Sequence, residues 1–190
     1  MSDQRAGLTR PADVRPPVPA ELLDDPWFPF TGDVRVKQLH EPVTEEPPRS
    51  GEGGQGCRSC EHPDTDFLWT DKNWRLRPYR PTELLGQVLL ETRAHHDSFA
   101  DLPDELLREL GPLVARIEGA ILGLGGVGRV HVARWGDGGE HFHLWFMPRP
   151  FGALQLRGSM LPMWVDFMPR CAAEDAAAAE RAIAAALAAR

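Results

Sequence analysis

The chain has 190 residues, 42% hydrophobic and 26% charged, with a formal net charge of -7. That is enough for one domain with tails. The acidic balance excludes broad binding to extended nucleic acid or an anionic membrane, which needs a basic face, but leaves room for a small phosphate pocket built from local donors. No apolar run reaches the ~20 residues of a membrane span. The first twenty residues carry no hydrophobic signal region, and three cysteines are too few for a disulfide framework. A cytoplasmic protein is the expectation.

In chain order, residues 1–20 are Pro-, Arg- and Asp-rich without period and are expected to be disordered. "DPWFPFTGDVRVKQL" (25–39) carries aromatic anchors and an alternating run, Val34, Val36 and Leu39, which predicts a packed segment or added strand. Residues 40–56 are a Pro-, Glu- and Gly-rich linker by composition. The division expected is an extension and linker over 1–56, a domain over 57–170, and a C-terminal helix over 171–190. "DFLWTDKNWRLRPY" (66–79) predicts two short strands about a turn at Asp71–Asn73, and Gln87–Thr92 predicts a third. Leu106, Leu110, Leu113, Val114, Ile117 and Ile121 recur at helical spacing, with Asp101 as the expected N-cap and Pro103 in the first turn. Residues 128–136 predict a strand, a Gly-Asp-Gly-Gly turn follows, and "EHFHLWFMPR" forms the second arm of a hairpin. The Ala-rich tail from Cys171 is helical. Hairpins plus one long helix give an α+β domain on an antiparallel sheet.

Four motifs bear on chemistry. "GLGGVG" (123–128) has dinucleotide-type spacing, but it follows a helix and precedes a strand, the reverse of what that use requires. It reads as a helix stop and turn. "CRSC" (57–60) supplies two thiols at metal-ligand spacing and lacks the strand-helix context of a redox pair. Two unpaired cysteines at a flexible edge explain the spacing equally well. If metal binds, histidines must complete the set, and His62, His95, His96, His131 and His141 are the candidates. His131 alternates with Val130 and Val132 and reads as a polar residue on an exposed strand face. In "HFHLWF", period-2 alternation turns Phe142, Leu144 and Phe146 to the core and His141, His143 and Trp145 to the opposite face. Two imidazoles one pleat apart lie roughly 6–7 Å apart along the backbone. That suits one histidine on a metal and its neighbour free for chemistry.

Taken together, residues 57–150 resemble the histidine-triad superfamily of nucleotide hydrolases and transferases. The resemblance rests on "GQVLLETRAHHDSFADL" (86–102), on the amphipathic helix and strand that follow, and on "HFHLWFMPR" (141–149), which is similar to H-x-H-x-H-x-x-P-R with Pro148 and Arg149 in register. Trp145 stands where most members have a third histidine, a position held by glutamine in the galactose-1-phosphate uridylyltransferase branch. The resemblance implies a histidine-triad-like sheet with one long helix packed on it. His143 would be the nucleophile toward the α-phosphorus of a nucleotide or nucleotide sugar. A structural Zn2+ would be held by Cys57, Cys60, His95 and His141, and a homodimer is expected. Trp145 would line the substrate site rather than protonate a leaving group, because an indole has one donor and no acceptor. Backbone N–H groups of Gly138 and Gly139 would cradle phosphate, and alternation turns Glu140 away from them.

The sequence thus predicts a nucleotide phosphoester or phosphoanhydride hydrolase or nucleotidyltransferase acting through a nucleotidyl-histidine. The alternative is a non-catalytic nucleotide- or protein-binding module on the same zinc-stabilised scaffold. A third reading is a zinc-dependent structural protein whose segment "LPMWVDFMP" (161–169) contacts a partner.

Overall fold

The structure, a computed structural model, describes residues 18–37 and 40–189. The chain falls into two compact units, Met1–Pro47 and Pro48–Arg190. In the first, the described residues form one helical turn, α1 (Ala20–Leu23), and an edge-on aromatic pair, Phe28 and Phe30, with centroids 5.4 Å apart. The expected strand over 34–39 does not form among them: Val34 and Val36 lie outside any strand and only Arg35 makes a single bridge. Residues 1–17 and Leu39 lie outside the described residues.

The second unit starts nine residues ahead of Cys57. The piece read as linker, 48–56, is built into it. Ser50 pairs with Gly139 in a parallel bridge, its N–H donating to Gly138 O at 3.3 Å while its own carbonyl accepts from Glu140 N at 2.9 Å. Arg49 grips both oxygens of Asp97 at 2.8 and 2.9 Å and reaches Glu140 Oε2 at 3.2 Å. Pro, Glu and Gly marked this stretch as irregular, and irregular it is. Side-chain ion pairs, which carry no local periodicity, hold it in place.

A short helix, α2 (Arg58–Glu61), follows the first cysteine. The hairpin β1 (Trp69–Thr70) and β2 (Trp74–Pro78) closes where predicted, because Asp71 Oδ1 accepts from the backbone N–H groups of Asn73 and Trp74 at 2.8 and 2.7 Å. Next come β3 (Val88–Thr92), α3 (Asp104–Leu122), β4 (Val127–Ala133) and β5 (His143–Pro150). The five strands form one antiparallel sheet in the order β1-β2-β3-β5-β4. The glycine run between α3 and β4 is a helix stop and turn, with Gly125 and Gly126 at positive φ. At the other end of α3 the cap is Pro103, not Asp101. Asp101 sits in a preceding 3-10 turn, where its carboxylate accepts from Asp97 N at 2.9 Å.

One face of the sheet is sealed by α3, whose Leu106, Leu110, Leu113, Ile117 and Ile121 are buried, with Val114 partly so. They meet Trp74, Leu76, Val88, Leu90, Phe142, Leu144 and Phe146 from the sheet. After α4 (Met160–Val165), the C-terminal helix α5 (Ala173–Ala188) adds Ile183 and Leu187 to the same core. The opposite face is covered only in part. Leu84, Met147, Leu156 and Leu161 form a second, smaller cluster there, joined by Trp164, Val165 and Met168. Much of the segment 161–169, for which a partner contact is the alternative expectation, packs on its own sheet, with Met163 and Phe167 exposed. The remainder of that face is open, and it carries His143. No helix among the described residues is long and apolar enough to cross a membrane.

Candidate metal centre and adjoining cavity

The alternation in the histidine motif sets the site. Phe142 and Phe146 are fully buried and Leu144 nearly so, in the core below the sheet. His141, His143 and Trp145 line a cavity of about 430 Å3 on the other face. The strand itself begins only at His143. Ahead of it, Phe142 N–H donates to the His96 carbonyl at 2.5 Å, which draws the motif against the loop that carries His95.

That closure brings together four groups, the first and last of them 84 residues apart in the chain. One ligand atom from each of Cys57, Cys60, His95 and His141 lies within 4.8 Å of all the others. Cys57 Sγ is 3.3 Å from His141 Nδ1, and Cys60 Sγ is 3.6 Å from both His141 Nδ1 and His95 Nδ1. A tetrahedral zinc with Zn–S near 2.3 Å and Zn–N near 2.0–2.1 Å requires S···N edges of about 3.5 Å. The donor set and its spacing fit a metal ion. The second nitrogen of His141 agrees with this: Nε2 lies 2.8 Å from the Thr92 carbonyl, leaving Nδ1 free to ligate, whereas His95 Nε2 is buried without a hydrogen-bond partner, 3.6 Å from Glu140 Oε1. Burial holds His141 below the ordinary histidine value, which favours the neutral ring that a metal needs. Partial desolvation, and then the neighbouring Cys57 thiol, push the Cys60 thiol up to about 11.

Arg75 underpins the cysteine loop. Buried at 3% exposure, it lies over the Phe67 ring and donates to the carbonyls of Ser59 and, at 3.3 Å, His62. The other candidate ligands stand apart from the cluster. His62 pairs with Asp66 at 2.8 Å and His96 faces Asp101 at 3.5 Å. His131 is half-buried rather than exposed, because Met147, part of the second core cluster, stands opposite it in the ladder.

His143 is held differently from His141. Its Nδ1 lies 2.7 Å from the His141 carbonyl, a bond only a ring N–H can make, so Nε2 carries the lone pair. Beside it Trp145 meets Tyr79 edge-on at 5.0 Å and Trp135 at 6.0 Å, an aromatic wall. Gly138 and Gly139 line the cavity opposite Ser50, and a Cβ at Gly138 would meet nothing within 4 Å. Glu140 is turned to Arg49 and to Gly53 N, away from those glycines.

Sequence reasoning missed Tyr79, Trp135, Arg77 and Glu91, all of which line the cavity. A signal existed for three of them. In "WRLRPY" Arg75, Arg77 and Tyr79 alternate with Trp74, Leu76 and Pro78, and Glu91 interrupts the otherwise apolar "VLLET". Trp135 lies in the hairpin loop, where period-2 logic does not reach.

No protein-family model matches the chain, and no curated protein matches it in sequence. Among solved structures it is similar to a hypothetical histidine triad nucleotide-binding protein from Sulfolobus tokodaii, with a TM-score of 0.50 at 17% identity over 65% of this chain and 83% of that one. A Zn-bound histidine triad family protein from Mycobacterium smegmatis aligns with a TM-score of 0.48 at 22% identity, over 64% of this chain and 85% of that one. The resemblance to the Sulfolobus protein establishes the fold.

Proposed function

We propose, from the histidine-triad fold as premise, that this protein is a nucleotide phosphoester or phosphoanhydride hydrolase or nucleotidyltransferase that forms a covalent nucleotidyl-histidine on His143. The observation that carries this reading is the His143 ring. Its Nδ1–H is spent on the His141 carbonyl, and its residue lines a cavity large enough for a nucleoside monophosphate. A neutral imidazole is a competent nucleophile toward phosphorus.

In this reading the Nε2 lone pair attacks the α-phosphorus, and the bond to the leaving oxygen breaks with its electron pair passing to that oxygen. Water or an acceptor hydroxyl then attacks the same phosphorus. The N–P bond breaks, the electron pair returns to Nε2, and the attacking oxygen loses its proton to solvent. Trp145 cannot protonate the leaving group, so that proton comes from water or the group departs as a stabilised anion. The base or sugar stacks on Trp145, Trp135 and Tyr79, while the phosphate lies at Gly138 and Gly139. Zinc at Cys57, Cys60, His95 and His141 supplies a closed structural cross-link between the cysteine loop and the base of β5. The cytoplasm, where thiols stay reduced, suits such a site, and the same reading includes a homodimer and a nucleotide or nucleotide-sugar ligand.

The test is label transfer. Incubation with α-labelled nucleotides and a base quench should leave label on the protein. A His143→Ala variant should lose both label and turnover while keeping its metal. Turnover at the unsubstituted rate in that variant would end the proposal. Trp145 motivates a second reading, a non-catalytic binding module, which the same experiment separates: nucleotide binding with neither label nor turnover.

A further inference from the structure

The pair Arg77–Glu91, a half-exposed arginine on a buried carboxylate that also stands opposite Arg75 in the ladder, lies outside both apolar clusters. Glu91 stands on the cavity side of β3, directly opposite His143 in the ladder, and is 1% exposed. A carboxylate so deeply buried is costly, and a well-packed apolar residue in its place is commonly neutral or stabilising. Its Oε1 accepts from Arg77 Nε at 2.7 Å, and its Oε2 is buried with no partner. Arg77, on the cavity side of β2 and opposite Leu89, spends only Nε on this bond. Its terminal nitrogens have no partner among the described residues, and its side chain is 32% exposed where it lines the cavity.

We propose that Arg77 is the oxyanion-binding residue of the cavity, aimed at a phosphoryl group next to His143, and that Glu91 is the positioning residue that holds it there. This deepens, and rests on, the reading of the cavity as a phosphoryl-transfer site. The physical reason lies in the fork geometry. An arginine anchored through Nε presents its two terminal N–H groups in a fixed plane, which matches two oxygens of a phosphate. Anchoring removes the entropy that a free arginine loses on binding. Donors fixed in advance where charge develops are the commonest large contribution to transition-state stabilisation. They matter most here because Trp145 brings no proton to the leaving group. Arg58 also lines the cavity, but from the exposed face of a one-turn helix and without an anchor.

The probe is inorganic phosphate, titrated by 31P NMR into the full chain loaded with zinc. Wild type should bind it. Arg77→Gln should weaken binding by about tenfold to a hundredfold, the range for a charge-assisted bond, and Arg77→Lys less. Arg58→Gln should stay within threefold. Glu91→Gln should weaken phosphate binding several-fold alone and add nothing in the Arg77→Gln background, a non-additivity that general destabilisation would not produce. It also provides an independent reading if Arg77→Gln does not fold. The proposal is overturned if wild type ignores phosphate, if Arg77→Gln or Glu91→Gln binds it within twofold of wild type, or if Arg58→Gln alone abolishes binding. Label transfer to His143 separates the two claims. Arg77-dependent phosphate binding without any label upholds the anion site and sinks the nucleotidyl-histidine.

Discussion

In the proposed reading, a single side chain separates the cavity from a full histidine triad. Trp145 brings area and a ring face where a third imidazole would bring a proton, and its Nε1 is buried without a partner. Restoring an exchangeable proton should therefore show in the leaving group. We expect Trp145→His to speed turnover of substrates with poor leaving groups by tenfold or more, the lower end of general acid contributions. Activated aryl phosphoesters should be turned over at nearly the same rate. Equal acceleration of both classes would mean that the indole acts by bulk alone. His141 sets a second expectation at this scale. Unfolded, its ring titrates near 6.5; folded, burial holds it lower. Its contribution is complete above the unfolded value and is lost as pH falls from there toward the folded one. Denaturant melts of the metal-free protein should accordingly lose stability as pH falls below about 6.5, and His141→Gln should flatten that slope.

At the scale of elements, the segment before the first cysteine acts as a brace. Gly51 sits at φ +81, and a Cβ there would stand 3.0 Å from Cys57 Cβ and 3.1 Å from Cys57 Cα. Backbone and ligand loop approach too closely for a side chain. Gly51→Ala should cost roughly 1–2 kcal/mol for the left-handed backbone alone, and the clash should appear as weaker metal retention in a competition assay against a chelating dye. Gly138→Ala is the matching control. Its Cβ meets open space, so stability should hold while ligand binding in the cavity falls.

Across the whole unit, the two faces of one sheet divide the labour. The face under α3 and α5 carries the main apolar core, whereas the open face is held by ion pairs, short clusters and the cysteine-histidine set. If the cysteine–histidine set holds zinc as proposed, stability on that side depends on that cross-link. Removing metal with a chelator should lower Tm by several degrees and raise amide exchange in residues 48–61 and 136–143 first, while α3 remains protected. Zinc addition at pH 7 should release protons, measurable in weakly buffered solution, because metal ligands must be deprotonated. Uniform loss of protection across α3 and the open face would place the metal in the core's cooperativity rather than on one face.

The elements were legible in the sequence wherever burial has a period. The Leu and Ile spacing of α3, the Asx turn after β1, and the alternation Phe142, Leu144, Phe146 each record a face, and a face is a local property of helix or strand. That Cys57, Cys60, His95 and His141 come together was legible through spacing joined to a family pattern. What the sequence could not contain is distance between segments. Arg49 meeting Asp97 and Glu140, Pro103 displacing Asp101 from the cap, the absence of a strand over 34–36, and Trp135 closing on Trp145 all depend on where separate pieces come to rest. The same holds for the Arg77–Glu91 pair. Each residue faced the right way by alternation, but only the register of β2, β3 and β5 set Glu91 opposite His143 and brought Arg77 within reach of Glu91, because hydrogen bonding between strands fixes neighbours that no single strand encodes.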